Sequence, residues 1–216
     1  MIPTSIRTSS FYRRLRRSWL VHEYLRPIYT RRQMRTWWAR GRPAPPPHDV
    51  KLAAILYLAD RVGAKVLVET GSYLGDTIRA LRGRFDLIAS IEIAPALARP
   101  LQEEFAHDPS VRVILGDSGV EIVRVLDEIK EPTILWLDAH YSGGATLGLG
   151  YVPIYAELDA IKRLARHHHA ILIDDARDFT GKDGYPTADE VVARLKDSGY
   201  RVSVANGMIH AILAES

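Results

Sequence analysis

The chain has 216 residues, 47% hydrophobic and 25% charged, which is enough apolar material for one large domain rather than two small ones. It has no cysteine, which excludes disulfides and thiolate-held metals, and no apolar run approaches the roughly 18–20 residues that cross a bilayer. The net charge of +3 is unevenly divided: residues 1–47 hold 11 arginines, no lysine and a single acid, Glu23, so a balance of +10 there leaves −7 for residues 48–216.

The first residues, Met1-Ile2-Pro3-Thr4-Ser5-Ile6-Arg7, run on into arginines rather than into an apolar signal core, so the expected location is the cytoplasm. The segment reads as a basic helical arm in which Trp19, Leu20, Tyr24, Leu25, Trp37 and Trp38 supply an apolar face between arginines. Two kinds of partner suit it. One is an acidic protein surface, its own or that of a second copy in a homo-oligomer. The other is an anionic membrane surface, which would make the protein membrane-peripheral. Nucleic acid is disfavoured, because the arm carries no recognition signature. Gly41-Arg42-Pro43-Ala44-Pro45-Pro46-Pro47 forbids helix and predicts a stiff spacer, dividing an arm (1–47) from a domain (48–216).

Beyond the spacer, Asp49 is the expected cap of a helix whose face is Leu52, Ile55, Leu56, Leu58 and Val62, stopped by Gly63. Short β-rich runs follow at 66–68, 87–91, 111–115, 134–137 and 170–173, separated by helical patterns around 75–83, 95–107, 119–130 and 152–166. Strand–helix alternation with nearly continuous apolar strands predicts a doubly wound, Rossmann-like parallel sheet. The tail differs: runs at 200–204 and 208–213 flank Asn206-Gly207, the strongest short hairpin signal. The predicted class is therefore α/β, a parallel sheet closing on a C-terminal antiparallel β-hairpin, behind an N-terminal helical arm.

In such a sheet, ligands bind beyond the C-terminal ends of the strands. All five of those ends are polar or glycine-rich. The first is Glu69-Thr70-Gly71-Ser72-Tyr73-Leu74-Gly75-Asp76-Thr77, where Gly71 permits a tight turn, Gly75 lets backbone approach a ligand, and the following helix start offers free N–H groups. The glycine spacing is not that of the dinucleotide fingerprint. The second end carries Glu92 and Ile93, with the acid about 20 positions past the glycine turn, where it suits ribose hydroxyls. The third is Gly116-Asp117-Ser118, either contacting a base or capping the next helix. The fourth is Asp138-Ala139-His140-Tyr141, and the fifth is Asp174-Asp175-Ala176-Arg177-Asp178. Asp138, Asp174 and Asp175 belong at the ends of neighbouring strands, and three converging carboxylates repel unless a cation lies among them. Oxygen ligands of this kind suit Mg²⁺ or Ca²⁺. A pairing of Asp174 or Asp175 with Arg177 would instead mark the carboxylates as structural. The run His167-His168-His169 is expected on the solvated surface between a helix and a strand, since adjacent residues cannot converge on one ion.

Residues 66–178 resemble the class I S-adenosylmethionine-dependent methyltransferases, and most of all the metal-dependent O-methyltransferase branch that includes the catechol and macrolide-sugar enzymes. The 69–75 loop is similar to that family's methionine- and carboxylate-binding turn, Ile91-Glu92-Ile93-Ala94-Pro95 to its ribose segment, and Gly116-Asp117-Ser118 to its adenine-side segment. The resemblance implies S-adenosylmethionine as cofactor, with Asp76, Thr77 and Asp138 along the same wall, and Mg²⁺ held by Asp138, Asp174 and Asp175. It departs from the catechol enzymes three residues after Asp138. They have a lysine there and this chain has Tyr141, so His140 becomes the candidate base, with Asp138 and Tyr141 beside it. The glycine-rich segment 142–151 and the segment 180–186 flank the cluster and are expected to close over an acceptor. The implied reaction is O-methylation of a small hydroxylated metabolite or sugar. Two rivals remain: a non-catalytic cofactor-binding scaffold, and a membrane-peripheral enzyme acting on a lipid-linked or nitrogen acceptor.

Overall fold

The computed structural model describes residues 26–139, 152–164, 169–182 and 184–214. A basic helix α1 (Arg26–Ala39) leads through the proline spacer to α2 (His48–Val62). Then strands and helices alternate: β1 (Val66–Thr70), α3 (Asp76–Leu81), β2 (Leu87–Glu92), α4 (Pro95–Glu104), β3 (Val111–Leu115), α5 (Ser118–Glu128), β4 (Thr133–Leu137), α6 (Ile154–Leu164), β5 (His169–Ile173), α7 (Ala188–Asp197), β6 (Tyr200–Ala205) and β7 (Met208–Leu213). The seven strands form one sheet in the order β3-β2-β1-β4-β5-β7-β6. β1 to β5 are parallel, and β7 joins β5 antiparallel with β6 outside it. The α/β class, the parallel sheet and the closing hairpin are thus as the sequence predicts.

Strand alternation explains why both faces are covered. Val66, Val68, Leu135, Leu137, Ile171 and Ile173 point into a core shared with α5, α6 and α7. Their neighbours Leu67, Ile134, Trp136, Ala170 and Leu172 point into a second core shared with α2, α3 and α4. Successive side chains of a strand face opposite ways, so a parallel strand between two helical layers must be apolar throughout. β1, β4 and β5 are buried at every residue.

The predicted face of α2 is partly revised: Ile55, Leu58 and Ala59 are its buried residues, with Leu52, Leu56 and Val62 packed at the margin. Its N-cap is Pro47 rather than Asp49, because the helix begins at His48. Asp49 lies in the first turn, where its charge still suits the unpaired N–H groups. Gly63 ends the helix in the left-handed conformation at φ 64°. Asn206 and Gly207 both have positive φ, 53° and 76°, the requirement of the tight hairpin turn joining β6 to β7. His169 corrects the surface reading of the histidine run. β5 starts at that residue, which is only 2% exposed, while His167 and His168 lie outside the described residues.

Trp37 of α1 is buried, and its Nε1 donates to the Pro43 carbonyl of the spacer at 2.8 Å. Pro46 and Pro47 are also buried. No described helix is long and apolar enough to cross a membrane.

Candidate active site

The strand order reverses at β1, between β2 on one side and β4 on the other, and this switch point opens the crevice in which ligands of such sheets bind. The glycine turn leaves β1 there. Gly71 has φ 85°, and a Cβ on it would stand 2.5 Å from the Asp138 carbonyl oxygen. Glycine is therefore required twice, by backbone conformation and by contact with the end of β4. Gly75 has φ 74° and caps α3, and its missing Cβ makes room for Leu101 of α4 rather than for an approaching ligand. Tyr73 also holds positive φ, 46°, an unfavourable conformation for a bulky residue.

The carboxylate of Glu92 fixes this turn. Its two oxygens accept the backbone N–H groups of Tyr73 at 2.8 Å and Ala94 at 2.9 Å, tying the glycine turn to the end of β2. Glu92 is buried, and burial raises its pKa against the backbone donors that lower it. Ile93 follows, half-buried. Below the turn, Ser72 Oγ lies 2.6 Å from Ser90 Oγ, and Ser90 donates to Glu69. Glu69 is 2% exposed. Burial pushes its carboxyl up to about 7, although hydrogen bonds from Ser90 and Thr77 work the other way. Thr70 is fully buried at the mouth of the crevice, and its hydroxyl has no partner among the described residues.

Arg79 of α3 is a member of this wall that sequence reasoning missed. It donates to the Leu74 carbonyl at 2.6 Å and to both oxygens of Glu104 at 2.6 and 2.7 Å, and it pairs with Asp76 at 3.5 Å. It therefore clamps the turn to α4. On the far wall, Gly116 continues from β3, its N–H reaching the Glu92 carbonyl at 3.0 Å. Of the two roles left open for Asp117, the geometry displays the cap: its carboxylate accepts from Gly119 N at 2.9 Å. Ser118, the first residue of α5, is buried.

Asp138, Asp174 and Asp175 come together as the sequence requires, each offering an oxygen within 4.8 Å of the others. Asp138 N–H bonds the Thr70 carbonyl and Asp174 N–H the Leu137 carbonyl, both at 3.0 Å, so each residue extends its parallel ladder by one step. Asp174 is fully buried, and Asp175 turns away in the left-handed conformation at φ 46°. Among the described residues, two basic side chains answer this charge. Arg177 Nη2 lies 3.3 Å from Asp175, and Lys51 of α2 donates directly to Asp174 Oδ2. Lys51 was not singled out from the sequence. Its Nζ lies over the Trp136 ring, 5.9 Å from the centroid. Burial lowers the pKa of this ammonium, but Asp138, Asp174 and Asp175 outweigh burial and hold it above its ordinary value. Burial likewise raises Asp174 and Asp175. For Asp174 the charge of Asp138 adds to the rise and Lys51 opposes it. His140, Tyr141 and the whole segment 142–151 lie outside the described residues, as does Asp183 of the other flanking segment.

No protein-family model matches the sequence, and no curated protein does. Solved structures do match. One is a Staphylococcus aureus protein provisionally described as a caffeoyl-CoA O-methyltransferase, with a TM-score of 0.56 and 14% identity over 90% of this chain and 100% of that one. Another is an O-methyltransferase from Bacillus cereus in complex with SAH, with a TM-score of 0.56 and 13% identity over 85% of this chain and 90% of that one. The chain has a methyltransferase fold. The N-methyltransferase NodS from Bradyrhizobium japonicum matches as well, with a TM-score of 0.51 and 10% identity over 78% of this chain and 97% of that one. The same fold therefore serves oxygen and nitrogen acceptors, and the choice between them lies in the site.

Proposed function

We propose that the protein is an S-adenosylmethionine-dependent methyltransferase acting on a hydroxyl of a small metabolite or sugar. The observation that carries this reading is the glycine turn at the β1 switch point, locked by Glu92 and lined by the unpartnered hydroxyl of Thr70. A buried hydroxyl without a partner is costly, and a ligand that satisfies it recovers that cost. The fold shared with an O-methyltransferase in complex with SAH supports the same cofactor here.

In this reading Gly71 to Thr77 receive the methionine end, Glu92 and Ile93 the ribose, and Gly116, Asp117 and Ser118 the adenine side. The cofactor supplies an electrophilic methyl group on a sulfonium. The chain's own contribution is mostly placement, holding the acceptor oxygen in line with that group at the Asp138 end of β4. Asp138 and His140 are the residues proposed to take the hydroxyl proton, with Tyr141 positioning the acceptor.

The divalent metal expected from the sequence fits only in part. The donor set is all oxygen, and one oxygen of Asp174, Oδ1, is buried without a partner, both of which suit Mg²⁺. Against it, two of the three carboxylates already hold protein cations. No step is routed through a metal.

A second, membrane-peripheral reading rests on the exposed arginines Arg31, Arg32, Arg35 and Arg40, which line one groove along α1. It keeps a cytoplasmic enzyme and changes the acceptor to one presented at an anionic surface.

The test is calorimetric titration with S-adenosylhomocysteine. The wild type should bind, and Glu92→Ala should weaken binding by about 1–3 kcal/mol, since it strips partners from the ribose and from the N–H groups of Tyr73 and Ala94. No binding by the wild type, or equal affinity in the variant, refutes the assignment.

A further inference from the structure

We infer that the ammonium of Lys51 is the resident cation of the Asp138–Asp174–Asp175 cluster and that it keeps divalent metals out. The inference rests on the proposed function only in treating the cluster as the acceptor side of the site.

The geometry follows from strand parity. Trp136 and Leu172 face the core that α2 covers. Asp138 and Asp174, two residues further along the same strands, therefore face α2 as well. Lys51 stands in the first turn of that helix, and its Nζ lies over the Trp136 ring, 5.9 Å from the centroid. A flexible four-carbon stem lets this compact charge reach into the cluster, with the ring face beside it. That place is Asp174 Oδ2, on a residue with no exposure, while the lysine side chain itself is 17% exposed.

Three carboxylates with oxygens within 4.8 Å of one another need a positive charge among them. A free metal ion would have to be recruited from solution for that purpose, whereas Lys51 is tethered and always present. A metal entering the cluster would meet an ammonium on its most buried ligand, and like charges at that range repel strongly. Arg177 adds to the opposition by pairing with Asp175. Oδ1 of Asp174 is left without a partner, so the carboxylate keeps an oxygen that a metal could use once the lysine charge is gone. Lys51 is thus a positioning residue that acts through the carboxylates, and the cluster is a metal site that its own chain has filled.

The experiment uses full-length protein stripped with chelator and titrated with Mn²⁺, followed by electron paramagnetic resonance and calorimetry without cofactor. The wild type should show no saturable Mn²⁺ binding in the millimolar range. Lys51→Met and Lys51→Gln should acquire a saturable site about 10–100-fold tighter than any binding by the wild type, the range by which groups touching a metal's ligands commonly alter affinity. Lys51→Arg, which retains the charge, should behave as wild type, and adding Asp174→Asn to Lys51→Met should abolish the new site. If Lys51→Met melts only when Mn²⁺ is present, that rescue also supports the inference. Saturable submillimolar binding by the wild type overturns it, as do Met and Gln variants that bind no better than wild type. Should neither variant fold under any condition, the wild-type and Lys51→Arg titrations decide alone. Failure of S-adenosylhomocysteine to bind would refute the proposed function and leave this result standing, because the Mn²⁺ titration needs no cofactor.

Discussion

Replacing Gly71 by alanine separates two costs that usually arrive together. Gly71 sits at φ 85°, and the new Cβ would lie 2.5 Å from the Asp138 carbonyl oxygen, 2.9 Å from its carbon and 3.2 Å from Ala139 Cα. All three are backbone atoms at the end of a fully buried strand, so they cannot swing aside as a side chain would. Positive φ costs an alanine about 1–2 kcal/mol. Forcing a methyl into a packed site adds about 1–3 kcal/mol. The sum, about 2–5 kcal/mol, is a large share of the roughly 5–15 kcal/mol that holds a domain folded. Gly83, in the turn ahead of β2, is the internal control. Its φ is 80°, but a Cβ there meets nothing within 4 Å. Both substitutions remove the same freedom from the unfolded chain, so the difference between them isolates the close approach to Asp138. At about 2–4 °C per kcal/mol for a chain of this size, Gly71→Ala should lower the melting temperature by about 4–20 °C and Gly83→Ala by about 2–8 °C. Only Gly71→Ala should also lose S-adenosylhomocysteine affinity in calorimetry, since it displaces the wall between the turn and Asp138. Equal melting losses for the two variants, with wild-type affinity in Gly71→Ala, would refute the reasoning.

Two other outcomes are expected. The carboxyl of Glu69 is raised from 4.5 to about 7, so the folded protein holds a proton that the unfolded chain has already released. The associated stability is present in full below pH 4.5 and is lost as pH rises to about 7, an effect of about 3 kcal/mol. Glu69→Gln should flatten that slope in urea unfolding curves taken across the window, and parallel slopes in the two proteins would count against the buried-acid account. The arm should be dispensable for folding: a chain beginning at His48 should melt cooperatively, short of the full chain only by about 1–2 kcal/mol for each buried group lost with Trp37, Pro46 and Pro47. Full-length protein should sediment with anionic vesicles at low salt and release at about 1 M, where the Debye length falls to about 3 Å. Failure of the short chain to fold would make residues 1–47 part of the core.

What was legible in the sequence was what depends on neighbours along the chain. Continuous apolar runs at 134–137 and 170–173 could only be strands covered on both faces, and Asn206-Gly207 with two positive φ values could only be a tight turn. The strand-end acids were legible for the same reason, because a carboxylate directly after a buried strand has one place to go. The errors came where a local signal had a competitor. Asp49 is a good cap, yet the proline before His48 set the start of α2 two residues earlier. His169 belongs to a run that reads as surface, yet the β5–β4 ladder claims it, pairing it with Thr133. The side chains at the site that the sequence did not single out were not local at all. Lys51 meets Asp174 across 123 positions and Arg79 meets Glu104 across 25, and a lysine or arginine on an amphipathic helix looks the same whether it ends in water or in a cluster of acids. Three acids at neighbouring strand ends read as a metal site because their mutual repulsion is visible in the sequence, whereas the ammonium of Lys51 beside Asp174 is not. That charge becomes predictable only once strand parity is combined with sheet order. Asp138 and Asp174 must face the helix that covers β4 and β5, and Lys51 is the lysine in the first turn of that helix.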